Sequence, residues 1–264
     1  MIFNKRSLIT LGVLAVIAAS AYYFFTKRGV TYIWHWESIP DMLFYYGAKS
    51  AADSTERLRM GILMIGFVLT LKISIFATFF AIIIGTVVGI ARLSHEPVTR
   101  GISLAYVELI RNTPLLVQIY IIYFFVGSML RLSAFAAGTA ALALFAGAYV
   151  AEIVRAGIQS IHKGQREAAR SLGMSYSQSM RYIILPQALR RILPPLAGQF
   201  ISLIKDSSLL GIIAIRELTK AAREAVTATL QPFEVYILLG LLYLVLTFTL
   251  SMYVQHLERR MATS

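Results

Sequence analysis

Ile73-Ser74-Ile75-Phe76-Ala77-Thr78-Phe79-Phe80-Ala81-Ile82-Ile83-Ile84-Gly85-Thr86-Val87-Val88-Gly89-Ile90 is an apolar run without a single charge. As a helix it spans about 27 Å, close to the thickness of a bilayer's hydrocarbon core. Five more stretches have the same character, at residues 8–25, 114–130, 135–151, 193–215 and 233–253. The whole chain agrees: 58% of its 264 residues are hydrophobic, 14% are charged, and the mean hydropathy is +0.69. Soluble domains carry about 25% charge, so the fold class is an all-α membrane protein, a polytopic bundle of about six transmembrane helices. Gly85 and Gly89 stand one helical turn apart and offer a neighbouring helix a close approach.

The net charge of +12 would point to nucleic acid in a soluble protein, but in a membrane protein it marks cytoplasmic loops. Six spans put both termini on one side. Placing them in the cytoplasm leaves fourteen Lys and Arg inside and nine outside, with Lys72 and Lys205 in or near the membrane. Lys72 is read as snorkelling to the outer headgroups. The segment 8–25 also resembles a cleavable signal peptide, through Lys5-Arg6 and Ala19-Ser20-Ala21; either reading leaves the remaining topology unchanged. The chain has no Cys, which excludes disulfides, thiolate metal sites and thiol catalysis. His35, His95, His162 and His256 lack metal-ligand spacing, and no Gly-x-x-x-x-Gly-Lys-Ser/Thr loop is present to cradle phosphates. Neither a catalytic residue nor a metal ligand is assigned.

The polar stretch between the fourth and fifth spans reads as helix, turn, helix. Residues 165–172 are good helix formers, Gly173 suits a left-handed stop, and Ser175 with Gln178 spells a capping box. Pro186 is expected to end the second of these helices, residues 176–185. Ala168, Ala169 and Leu172 form a small-residue surface flanked by Arg166, Glu167 and Arg170.

Glu167-Ala168-Ala169 followed by Gly173, and then Ile184-Leu185-Pro186, resemble the EAA motif of permease subunits of binding-protein-dependent ABC importers. The flanks narrow the resemblance to the polar amino acid branch. They are Tyr106 to Gln118 with Arg111-Asn112-Thr113-Pro114, then Ala148-Tyr149-Val150-Ala151-Glu152, then Lys205-Asp206-Ser207-Ser208-Leu209. The resemblance implies an N-terminal helix and external loop over 1–60 and a five-helix type I permease core over 61–264, with the coupling segment at about 159–190. It further implies an importer in the bacterial inner membrane, built from two permease subunits (identical or paralogous), a cytoplasmic ATPase dimer and an external solute-binding protein. ATP and Mg would be bound by the ATPase, no cofactor by this chain. Glu167, Ala168, Ala169 and Gly173 take the ATPase-coupling positions by this analogy. Gly198 departs from the pattern, standing where many relatives carry Asn.

Charged groups inside spans normally face a cavity or a partner. Lys205 and Asp206 lie eleven and twelve residues into the fifth span, about 17 Å along a helix. Ser207, Ser208 and Gly211 follow, where the backbone is expected to break. The two charges either complement a zwitterionic solute or neutralise one another and support the fold. Gln118, Tyr120, Tyr123, Tyr149 and Glu152 are the other pathway candidates, and Glu152 and Arg155, one helical turn apart, are expected to pair. Residues 216–231 read as an external amphipathic helix, either receiving the binding protein or covering the membrane surface. Three other functions stay open: a stand-alone secondary transporter or channel for small polar solutes, an ABC permease for a non-amino-acid solute, and an intramembrane enzyme, which lacks an acid-base pair.

Overall fold

The computed structural model describes residues 15–16, 19–20, 22–23, 32–47 and 57–262. The expected first span therefore lies largely outside the described residues. The chain divides into two units, Met1–Glu37 and Ser38–Ser264. In the first, the Trp34 and Trp36 rings stack at 5.6 Å and Tyr32 meets Trp34 edge-on at 5.1 Å.

The second unit opens with a short helix α1 (Ile39–Leu43) and an antiparallel hairpin of β1 (Phe44–Gly47) and β2 (Arg57–Met60), paired from Phe44 with Met60 to Gly47 with Arg57. The Gly61 amide closes on the Leu43 carbonyl at 2.7 Å, and α2 (Ile62–Ala91) begins there. This helix is 30 residues long, so the apolar run of residues 73–90 extends back to Ile62 as one continuous helix.

The third span differs most from expectation. α3 (Pro97–Arg111) and α4 (Leu115–Tyr120), the latter extended by a π-helical stretch Ile121–Gly127, meet at a bend of 107°. Glu96 caps α3 by accepting from the Val98 amide at 2.9 Å and from the Thr99 amide. The Thr99 and Val98 donors hold its carboxyl below the usual carboxylate range. Proline at position 114 disfavours helix at Thr113, and Gln118 fastens the corner. Its Nε2 donates to the Ile110 carbonyl at 2.7 Å and to Thr113 Oγ1 at 2.8 Å.

α5 (Ala134–Gln159) is the central helix, with 61% of its most apolar window buried. Its alanines let α2 press closely. A Cβ on Gly85 would strike Val150 and lie 2.7 Å from the Gly147 carbonyl, and one on Gly89 would lie 2.7 Å from the Ala151 carbonyl. The close approach read from those two glycines is thus the α2–α5 contact. Ile73, Ala77, Ala81, Leu142, Ala146 and Val150 form its core.

After α5 come α6 (Lys163–Ser171), α7 (Tyr176–Ser179), a π-helical turn Met180–Ile184, α8 (Leu185–Asp206) and a 3-10 segment Ser207–Ile213. From Tyr176 to Ile213 they make one 38-residue candidate span. Pro186 does not stop it. The wide turn at Met180–Ile184 resets the register, so Pro186 falls in the first turn of α8, where its missing N–H breaks no bond. Pro194 and Pro195 lie inside α8 as well.

The chain then turns at Ala214, which is left-handed with φ 64°, into α9 (Leu218–Thr229) and α10 (Pro232–Ala262). Leu218, Ala221, Ala222 and Ala225 are buried, and Ala221 lies so close to α2 that a Cβ on Gly66 would meet it at 2.7 Å. By contrast, only 6% of the apolar window of α10 is buried. Among the described residues, four helices are long and apolar enough to cross a membrane, or five if the bent pair is one span.

Candidate functional site

Capping makes the hairpin between α5 and α8 rigid. His162 Nδ1 accepts from the Gly164 amide at 3.1 Å to start α6. At its end Gly173 sits at φ 74°, its amide donates to the Arg170 carbonyl at 2.9 Å, and the Met174 amide donates to the Ala169 carbonyl at 3.1 Å. This is the Schellman arrangement, and it requires a residue that tolerates left-handed φ. The capping box forms with both reciprocal bonds, Ser175 amide to Gln178 Oε1 at 2.8 Å and Gln178 amide to Ser175 Oγ at 3.3 Å. Arg191 Nη1 to the Ser160 carbonyl at 2.7 Å and Gln187 Nε2 to Gln165 Oε1 at 3.3 Å tie the hairpin to α8.

The four expected coupling residues are not alike in their surroundings. Glu167, Ala168 and Gly173 are exposed, while Ala169 is turned inward with 2% of its surface exposed. Ala169 therefore seats the helix, and the outward surface is made by Glu167, Ala168, Leu172 and Tyr176, the last two 80% and 68% exposed.

Charges near the C-terminal ends of α2 and α5 converge on Glu152. It forms the anticipated pair with Arg155 and a second with Arg92, which stands just beyond α2. Arg155 also donates to Gln159. One turn before Glu152, the Tyr149 ring carries the Arg111 guanidinium 5.3 Å above its centroid and packs on Phe145 at 5.0 Å. Sequence reasoning missed Arg92 and Arg111. Arg155 shares a helix turn with Glu152, whereas Arg92 is 60 residues away and nothing in the local pattern joins them.

Gln118 is placed in the α3–α4 corner with 6% of its surface exposed; its Oε1 is buried without a hydrogen-bond partner among the described residues. Toward the other end of α8, the α-helix gives way after Asp206 to the narrower 3-10 segment. This is the change of backbone expected there, as a tightening and not a gap. Ser207 is fully buried and its hydroxyl donates to the Ile204 carbonyl at 2.7 Å. Lys205 is exposed and Asp206 half-buried, and no direct ion pair joins them. Lys205, Asp206 and Ser207 thus form one zone near the end of α8, and Tyr149 and Glu152 another in the C-terminal half of α5. Among the described residues no group of three His, Cys, Asp or Glu stands ready to hold a metal.

Apolar helices packed on a central alanine-rich helix, with an ordered polar hairpin feeding directly into one span, make a polytopic helical membrane protein. Residues 77–263 match the family described as binding-protein-dependent transport system inner membrane component, and the chain belongs to that family. It is 46% identical over 202 residues to the probable glutamine ABC transporter permease protein GlnM of Bacillus subtilis, covering 76% of this chain and 94% of that one. To the glutamine transport system permease protein GlnP of Escherichia coli K12 it is 39% identical over 203 residues, 76% of this chain and 93% of the relative. Among solved structures, an amino acid ABC transporter crystallised with histidines superposes with a TM-score of 0.71 at 39% identity, over 75% of this chain and 94% of that chain. The MetNI methionine ABC transporter in an inward-facing form shares the fold, with a TM-score of 0.68 at 20% identity over 76% and 96% of the two chains. The chain is accordingly a multi-pass membrane permease subunit.

Proposed function

We propose that this chain is the permease subunit of an ATP-driven importer that carries a polar amino acid inward across the bacterial cytoplasmic membrane, with both termini in the cytoplasm. The observation that carries the reading is the capped hairpin. It exposes Leu172 and Tyr176 beside Glu167 and Ala168, an apolar patch at the tip of a polar loop that fits a partner better than water. From Tyr176 it runs without interruption into the span ending at Ile213. A force applied to α6 by an ATPase dimer would pass directly to the helix bearing Lys205 and Asp206. ATP and Mg belong to that ATPase, and an external binding protein delivers the solute.

Mechanistically, ATPase closure favours the outward-facing arrangement, and hydrolysis with nucleotide release restores the inward-facing one. The likeness to two glutamine permeases supports a polar amino acid as cargo. An exposed Lys205 within an apolar span supports a second permease subunit, or a watered path, against α8. Isolation of the tagged full chain from its native membrane is expected to bring down a P-loop ATPase, and reconstituted uptake is expected to need ATP and binding protein. Solute flux by this chain alone in liposomes would instead establish the secondary transporter.

A further inference from the structure

The inner end of the bundle encloses a cavity of about 530 Å³ between the turn after α2, the first half of α3 and the α6–α7 hairpin. Arg92, Arg100, Arg155, Arg166, Arg170 and His95 line it, and no Asp or Glu does. Glu152 pairs with Arg92 and Arg155 from outside that lining, so one negative charge answers two guanidinium groups. Arg100, Arg166 and Arg170 have no acidic partner among the described residues. Arg166 adds an independent sign. Its Nε is buried with no acceptor among the described residues, while its Nη2 reaches only the Ile158 carbonyl, at 3.4 Å. A donor on a permanent cation, shut away from water, calls for an oxygen to receive it.

We propose that this cavity binds a phosphate group, gripped between Arg100 on α3 and Arg166 and Arg170 on α6. Guanidinium groups arriving from two separate helices suit a tetrahedral oxyanion, whose oxygens point in several directions, better than the planar fork of one carboxylate. A phosphate monoester bears about −1.5 to −2 charges at neutral pH and a phospholipid diester a single one, so either offsets part of the three unanswered cations. Free phosphate esters and anionic phospholipid headgroups share this chemistry. Leu93, Leu104 and Met174 on the same walls favour an amphiphile, as basic pockets at the cytoplasmic ends of spans commonly do. Once bound, the anion would bridge α3 to the hairpin and stiffen the lever. This holds whether or not an ATPase is the hairpin's partner.

The test is calorimetric titration and thermal melting of the full chain, purified and delipidated in neutral detergent. The probes are inorganic phosphate, short-chain phosphatidylglycerol and short-chain phosphatidylcholine. Saturable binding of phosphatidylglycerol with a raised melting temperature, weakened at least tenfold in Arg166→Gln and Arg100→Gln but unchanged in Arg57→Gln on β2, is the expected result. Equal competition by inorganic phosphate would name the free anion as sufficient, and its failure would name the headgroup; both sustain a phosphate site. Binding of neither anion above phosphatidylcholine would overturn it. So would undiminished affinity in Arg100→Gln, a surface substitution that decides the matter even if Arg166→Gln does not fold.

Discussion

Gly173 holds φ 74° with nothing within 4 Å of where a side chain would point, so a substitution there meets backbone strain and no clash. A Val would cost about 1–2 kcal/mol in the left-handed region, at the corner that sets α6 against α7. Gly173→Val is expected to lower uptake while the amount of inserted protein stays constant, as measured by labelled-solute transport and membrane immunoblotting. Full uptake would remove the rigid corner from the mechanism. Asp206 is the second residue whose role a single atom change addresses. If its carboxylate meets a solute ammonium, Asp206→Asn should slow transport roughly tenfold or more, the scale of one charged hydrogen bond, with insertion unaffected; an unchanged rate dismisses it from the pathway. Residue identity also shows where sequence reasoning reaches its limit. The ion pair of Glu152 with Arg155 was readable from helix spacing alone. That of Glu152 with Arg92 was not, because it depends on which faces of α2 and α5 meet.

Between elements, the contact of α2 with α5 rests on glycine. Gly85→Val would force the helices apart at the Gly147 carbonyl, costing about 1–3 kcal/mol by overpacking; a lower melting temperature in detergent is the expected reading. On the other side of the bundle, α9 is held by Glu217. Its carboxylate accepts from the Thr219 amide at 2.7 Å and the Lys220 amide at 2.8 Å, while the Leu218 amide donates to Thr70 Oγ1 at 3.1 Å. Burial raises the Glu217 carboxyl above the usual carboxylate range despite those two donors. A raised folded-state value means that the protonated form is favoured in the fold. The associated stability is present at low pH and is lost as pH rises through that value. Gln keeps an acceptor oxygen without titrating. The melting temperature of the native chain relative to Glu217→Gln should therefore fall from about pH 5 to about pH 8, and a constant difference would show that Glu217 is not so perturbed. The amphipathic pattern of 216–231 announced this helix, and its burial against α2 answers what its apolar face covers.

For the whole molecule the decisive prediction concerns sidedness. With the hairpin in the cytoplasm, a cysteine introduced at the exposed Ser175, the sole thiol in a chain without Cys, should react with an impermeant maleimide in inside-out vesicles and not in intact spheroplasts. Labelling from outside would invert the topology. Long apolar runs, the Gly173 stop and the Ser175–Gln178 box were all legible in the residues. Each is a local free energy, set by transfer into lipid or by hydrogen bonds within a few positions.

Three features were decided by tertiary structure alone. They are the 107° corner clasped by Gln118, the continuation of the helix past Pro186, and the basic cavity beneath the hairpin. Each depends on more than local preference: a wide turn at Met180–Ile184 places the proline in the first turn of α8, and arginines far apart in sequence come to line one cavity only when α3 and α6 face it together. Local preference chooses the helices, and the fit between their faces chooses the machine they form.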